Sequence, residues 1–191
     1  MRTKDEEKVI RIYNAAIKVV NSDGFEGSSM SKIATEANVC AATIYLYFEN
    51  KDDVIKKLFL HIKNKLGTTH VSGDNELSPS KGTFRTLWIN HYQQITNNFE
   101  EFIFYENFIN SPLIDKIEKE YTQDYCNVFQ SLFDRSKKTG LIQPLDNDIL
   151  FSLLFAPINH LAKKSKLNDS ALNMNELIQV FEASWKSVSK E

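Results

Sequence analysis

The sequence predicts an all-α protein, in which an N-terminal three-helix bundle precedes a larger helical domain. Apolar residues recur at three- and four-residue steps along most of the 191 residues, as one face of a helix requires. Strand-like alternation does not persist, and the chain contains only six Gly and four Pro. These observations favour helices joined by short turns over an arrangement that includes a sheet.

The first predicted helix runs from Lys4 to Asn21. Its apolar residues share one face: Val9, Ile12, Tyr13, Ala16, Ile17 and Val20. Gly24 follows, and glycine readily adopts the left-handed backbone that ends helices. We therefore expect the helix to stop at Asp23-Gly24.

Two short helices joined by a tight turn come next. Ser28 or Ser29 supplies the N-cap oxygen of the second helix, which stops at Asn38, a residue that tolerates left-handed backbone. Cys40 occupies a capping-type position before a third helix over residues 41–48. This arrangement predicts a helix-turn-helix unit.

The rest of the chain predicts six further helices. One runs from Lys51 to about Leu66, and residues 67–81 read as a surface loop because they lack periodicity. The other five helices are expected at roughly 82–97, 99–110, 112–138, 146–164 and 174–188. We place the domain boundary between residues 50 and 51.

Composition excludes several classes of protein. The net charge is −2, and residues 1–60 contain nine basic and nine acidic residues, so the chain does not coat nucleic acid through bulk positive charge. Cys40 and Cys126 lie far apart, which predicts neither a disulfide nor a zinc site. The chain lacks a signal-peptide pattern and a long apolar run, so we expect a cytoplasmic protein without a membrane partner.

A specific motif lies between Ser28 and Ile55. Its elements are Ile33-Ala34, Asn38-Val39, Ala41-Ala42, the run Thr43-Ile44-Tyr45-Leu46-Tyr47-Phe48, and Lys51. This segment resembles the DNA-binding part of the TetR family of bacterial regulators, and the similarity is strong over about residues 8–56. The resemblance implies a DNA-binding domain at 1–50 and a helical ligand-binding and dimerisation domain at 51–191.

Nine residues are predicted to contact DNA: Ser29, Ser31, Cys40, Ala41, Ala42, Thr43, Tyr45, Tyr47 and Lys51. We assign Tyr45 and Lys51 to phosphates and Thr43 to a base edge. Phe48 instead fills the core against helix one. The family commonly has Gly in place of Asn38, Ser in place of Cys40, and a polar residue and Gly in place of Ala41-Ala42. Base discrimination is therefore expected to use thymine methyl groups and DNA shape.

The aromatic residues of the larger domain have two interpretations. They line a cavity for an apolar or aromatic ligand, or they fill a core. The predicted ligand-binding residues are Trp88, His91, Tyr92, Phe104, Tyr105, Phe108, Tyr121, Tyr125 and Asn159. The last two helices are expected to pair with those of a second subunit, with Phe155 and Trp185 in the interface.

The combined prediction is a repressor that a small ligand releases from a palindromic operator. The partners are double-stranded DNA, a second copy of the chain and a small-molecule effector, with no cofactor and no metal. An enzyme is disfavoured because the four histidines are scattered and neither a HExxH motif nor a Gly-rich phosphate loop occurs. The remaining alternative is a helical adaptor or ligand carrier that has lost DNA binding. The equal numbers of basic and acidic residues in 1–60 and the Ala41-Ala42 pair would fit such a protein.

Overall fold

The structure, a computed structural model, confirms the all-α fold. It describes residues 4–69, 77–116 and 123–190, and the side chains in these ranges except those of 4, 66–69, 116 and 123–128. In these ranges the β pairing is limited to one isolated antiparallel bridge between Ile142 and Ser189. No helix of the described residues has both the length and the apolar character that a membrane span requires.

The described residues form nine α-helices and one 3-10 helix. Their bounds are α1 Lys4–Gly27, α2 Met30–Glu36, α3 Ala41–Ile44, α4 Lys51–Thr69, α5 Lys81–Asn97, α6 Phe99–Ile109, the 3-10 helix Ile114–Lys116, α7 Gln123–Lys138, α8 Asn147–Leu167 and α9 Met174–Val188.

Packing divides the described chain into two compact units. The head unit comprises residues 4–65 and 100–116, and the body unit comprises 66–69, 77–99 and 123–190. Most of α6 belongs to the head unit, where the Phe108 ring lies 4.3 Å from Phe59 of α4 and 5.8 Å from Phe25 of α1. The functional boundary after residue 50 stays a prediction, because these units are defined by packing alone.

The turns of the head unit follow the predicted glycine, serine and asparagine signals. Gly24 has φ +74°, and its non-helical backbone breaks α1 three residues before its end. Ser29, rather than Ser28, is the N-cap of α2, since its Oγ accepts a hydrogen bond from the Lys32 amide. Asn38 has φ +54°, so a left-handed residue ends α2 as expected.

The third helix is shorter than predicted. It ends at Ile44 rather than Phe48, and residues 45–47 form a turn. The Leu46 amide donates to the Thr43 carbonyl at 3.3 Å, and the Tyr47 amide donates to the Ile44 carbonyl at 3.0 Å. These two hydrogen bonds span three residues rather than the four of an α-helix.

Aromatic side chains form the core of the body unit. The largest fully buried side chains there are Phe84, Trp88, Phe133, Phe155, Phe181 and Trp185. Trp88 donates its indole N–H to the Leu154 carbonyl at 2.8 Å, which satisfies its polar atom inside the core. The expectation that Phe155 and Trp185 lie in a subunit interface is wrong, since the single chain already buries both.

The predicted continuous helix over 112–138 is also wrong at its start. Ser111 precedes Pro112, which disfavours helical backbone at the serine. The Ser111 hydroxyl accepts a hydrogen bond from the Leu113 amide at 3.3 Å, and residues 114–116 form the 3-10 helix. The second part of the prediction corresponds to α7.

Candidate DNA-binding surface and effector-binding residues

The recognition helix α3 rests on two buried apolar side chains. Ile44 is fully buried, and Phe48 packs its ring 5.7 Å from Tyr13 of α1. On the other side, Ala41, Ala42, Tyr45 and Leu46 are exposed. Because Ile44 and Phe48 are four residues apart, they fix one face of the segment against the core and leave the opposite face open. We call this open face, with the adjoining Thr43, the α3 surface.

Two pairs of small polar side chains lie at the starts of α2 and α3. Ser29 and Ser31 lie with their Oγ atoms 3.0 Å apart at the start of α2. Cys40 Sγ lies 3.0 Å from Thr43 Oγ1. This hydroxyl lowers the pKa of the exposed Cys40 thiol. The four side chains thus lie at the starts of α2 and α3, where phosphate and base contacts were predicted.

Tyr47 and Lys51 have partners within the chain. The Tyr47 hydroxyl donates to Asp5 Oδ1 at 2.8 Å, and this hydrogen bond raises the pKa of the tyrosine. Lys51 Nζ donates to the carbonyl oxygens of Phe25 and Ser28 at 2.8 and 3.2 Å. Their predicted contacts with DNA stay predictions, and Lys51 has a structural role that the sequence did not indicate.

Other lysines of the head unit lie beside carboxylates. Lys18 pairs with Glu36, Lys32 with Asp23 and Lys57 with Asp53, at N–O distances of 2.9, 2.5 and 2.8 Å. These pairs offset the positive charge that phosphate binding would use. Several of the acidic and basic residues that are equal in number over residues 1–60 are therefore also paired in the structure of the head unit.

The predicted effector-binding residues fall in both units. In the body unit, His91 Nε2 lies 2.7 Å from Asn159 Oδ1, and burial lowers the pKa of this histidine. Trp88 is a core residue, and Tyr92 is buried with its hydroxyl accepting the Leu172 amide at 3.1 Å. The His91–Asn159 pair is half-buried, and its predicted contact with a ligand stays a prediction.

The remaining predicted effector-binding residues lie elsewhere. Phe104 and Phe108 are buried in the head unit, and the Tyr105 ring stacks 5.5 Å from Phe59. Tyr121 lies outside the described residues, and so does the side chain of Tyr125.

A cavity of about 320 Å³ lies in the head unit. Its lining residues are Glu49, Asn50, Asp52, Asp53, Ile55, Lys56, Phe108 and Leu113. Phe108 is the member of the predicted set that reaches it. The other predicted residues that the structure describes are absent from this lining, so their role in ligand binding stays a prediction.

Comparison with protein families assigns most of the chain. Residues 12–58 match the family model described as "Bacterial regulatory proteins, tetR family". Residues 79–189 match the model described as "Tetracyclin repressor-like, C-terminal domain". The chain belongs to the TetR family.

Full-length relatives agree with this assignment. A helix-turn-helix transcriptional regulator of Haemophilus influenzae Rd is 30% identical over 194 residues, with 100% of both chains covered. The crystal structure of a TetR-family regulator from the same organism is 27% identical, with 99% of this chain and 100% of that chain covered, at a TM-score of 0.82. The "Fatty acid metabolism regulator protein" of Bacillus subtilis is 25% identical, with 87% of this chain and 88% of that protein covered.

This TetR-family chain is a helix-turn-helix transcriptional regulator rather than an enzyme. Sequence reasoning omitted one exposed residue of its α3 surface, Leu46, which is 78% exposed beside Tyr45 at 56%. Its spacing of four residues from Ala42 was the available signal, since residues four apart share a helix face.

Proposed function

We propose that the chain is a ligand-responsive repressor that binds a palindromic operator as a homodimer and leaves it when an apolar or aromatic effector binds. The observation that carries the proposal is the α3 surface, which a buried apolar face and two ordered turns hold open. Small side chains at Ala41 and Ala42 let the start of α3 approach base edges closely. Family membership supplies the operator-binding role, and the repressor role is our inference.

Pairing of two chains is supported by an exposed apolar stripe on α8. Ile149 is 50% exposed and Leu153 is 38% exposed, and the exposed Ala156 continues the same face. Two chains joined by a two-fold axis would present two α3 surfaces to the two half-sites of a palindrome. The stripe therefore replaces Phe155 and Trp185 as our candidate interface.

The effector is proposed to be apolar and to meet the His91–Asn159 pair in the body unit. Aromatic walls with a few polar groups are typical of small-molecule sites, and the His91 ring also packs 5.3 Å from Phe155. The relative named as a fatty acid metabolism regulator makes long-chain acyl compounds the first aliphatic candidates, with planar aromatics as the comparison set.

The test begins with selection of binding sites from a random-sequence duplex library by the purified chain. We expect a two-fold symmetric site whose advantage over a scrambled duplex persists between about 50 and 200 mM salt, since salt weakens mainly the non-specific component. In transcription with a promoter that overlaps the site, the chain should reduce transcript yield, and an effector should restore it.

A matched pair of variants identifies the binding surface. Ala42→Asp places a negative charge on the α3 surface, and Ala171→Asp makes the same change at an exposed residue of the body unit. The first should abolish site binding and the second should leave it intact, because a carboxylate beside phosphates is repelled. Failure to select any preferred sequence would instead favour the adaptor or carrier.

A further inference from the structure

Leu46 is the most exposed large apolar side chain in the described part of the chain, at 78%. It lies in the head unit, immediately after α3, where its amide donates to the Thr43 carbonyl. A leucine that is exposed to this extent does not contribute the favourable free energy that burial of its apolar side chain would give. The side chain is therefore available to a partner.

The neighbours of Leu46 on the α3 surface are the small residues Ala42 and Thr43 and the exposed ring of Tyr45. Ala42 precedes Leu46 by four residues and Thr43 by three, at the end of α3 and in the turn that follows it. The hydroxyl of Thr43 lies 3.0 Å from Cys40 Sγ, which occupies one of its hydrogen-bonding directions. Beside the Tyr45 ring, the surface thus presents the methyl groups of Ala42 and Leu46.

Methyl groups at this position match one feature of DNA. In the major groove, thymine alone among the four bases carries a C5-methyl group, and apolar side chains recognise it by contact. An isobutyl group offers no donor to a phosphate, and contact with phosphate would remove water from the anion without compensation. Leu46 lies on the α3 surface, to which the proposed function assigns DNA binding, so the partner that fits it is a base edge.

We propose that Leu46 is a specificity-determining residue that contacts the C5-methyl group of a thymine in each operator half-site. This inference rests on the proposed function, because it requires sequence-selective DNA binding. It adds the residue that discriminates between bases, Leu46, and the group that this residue contacts, the C5-methyl of thymine.

The test replaces single thymines of the selected duplex with deoxyuridine, which removes only the methyl group. At one thymine position, we expect the wild-type chain to bind about fourfold more weakly when one half-site carries deoxyuridine. When both half-sites carry it, binding should be about fifteenfold weaker, because each half-site loses one buried methyl group. For Leu46→Ala, binding to the thymine and deoxyuridine duplexes should differ by much less. Leu167→Ala, at a leucine that is 70% exposed in the body unit, should keep the wild-type ratio.

Each outcome decides the proposal. Equal affinity of the wild-type chain for thymine and deoxyuridine at every position would overturn it and leave the regulator function standing. A deoxyuridine effect that persists in Leu46→Ala would assign the methyl contact to another residue. If the library yields no preferred sequence, both the proposed function and this inference fail. Because Leu46 is exposed, circular dichroism of Leu46→Ala should match that of the wild type, so a loss of fold cannot imitate the expected result.

Discussion

The head and body units place similar residue types in opposite environments. In the head unit, Tyr45 and Leu46 are exposed on a short segment whose opposite face is buried. In the body unit, Trp88, Phe155 and Trp185 are buried among other aromatic rings. Position relative to a fixed helix face, rather than residue type, therefore decides whether an aromatic or aliphatic side chain is available to a ligand.

Truncation of one aromatic residue in each unit tests this difference between buried and exposed side chains with the largest expected effect. Trp88→Ala removes a fully buried indole and its hydrogen bond to Leu154, so we expect a loss of about 3–5 kcal/mol in unfolding free energy. Tyr45→Ala should change it by about 0.5 kcal/mol or less, since the ring is 56% exposed. Urea denaturation measures both, and similar losses would contradict the assignment of these residues to core and surface.

Charge on the exposed stripe of α8 tests the dimer. The double variant Ile149→Glu, Leu153→Glu should sediment as a folded monomer and bind a two-half-site duplex about a hundredfold more weakly, because the two heads no longer act together. Phe155→Glu should instead unfold the chain, since it buries a charge in the body core. A double variant that remains dimeric would move the interface elsewhere.

Within the head unit, Lys51 and Lys57 are expected to differ in their contribution to the unfolding free energy. Lys51→Ala leaves the Phe25 and Ser28 carbonyls without this donor, so the unfolding free energy should fall by about 1–2 kcal/mol even without DNA. Lys57→Ala, which removes an exposed ion pair with Asp53 on the same helix, should cost less than about 1 kcal/mol. Equal stability of Lys51→Ala and the wild type would leave the lysine with its predicted phosphate role alone.

His91 gives the smallest expected effect. Burial lowers its pKa below the ordinary value, so the folded chain keeps the imidazole neutral while the unfolded chain takes up a proton. The stability that this residue contributes is thus present above about pH 6.5 and is lost as the pH falls below it. Denaturation across this range should show a weaker pH dependence in His91→Gln than in the wild type. The exposed His160 on α8 provides the control variant, His160→Gln.

Much of the fold was predictable because its signals are local. α9 begins at Met174 as expected, and Asn173 caps it together with Glu176. Asn38 ends α2 and Gly24 breaks α1 through their own backbone preferences. The end of α3 was not predictable, because residues 45–48 keep a helical pattern of side chains while the Leu46 and Tyr47 amides donate to carbonyls three residues back.

The site was predictable in position and less so in detail. The motif located the α3 surface, but it gave no sign that Lys51 binds two carbonyls 23 and 26 residues away in sequence. In the body unit, aromatic density has the same appearance in a core and in a ligand cavity. Only packing distinguishes them, and packing depends on residues distant in the chain, such as Leu154 beneath the Trp88 indole.

The reactivity of the Cys40 thiol shows whether operator DNA covers the α3 surface. The thiol is exposed at the start of α3, and the Thr43 hydroxyl lowers its pKa, so iodoacetamide should modify it readily in the free protein. The selected duplex, at about ten times its Kd, should slow modification of the Cys40 peptide about tenfold, while the scrambled duplex at the same concentration should not. Equal modification rates with the two duplexes would contradict operator binding at the α3 surface.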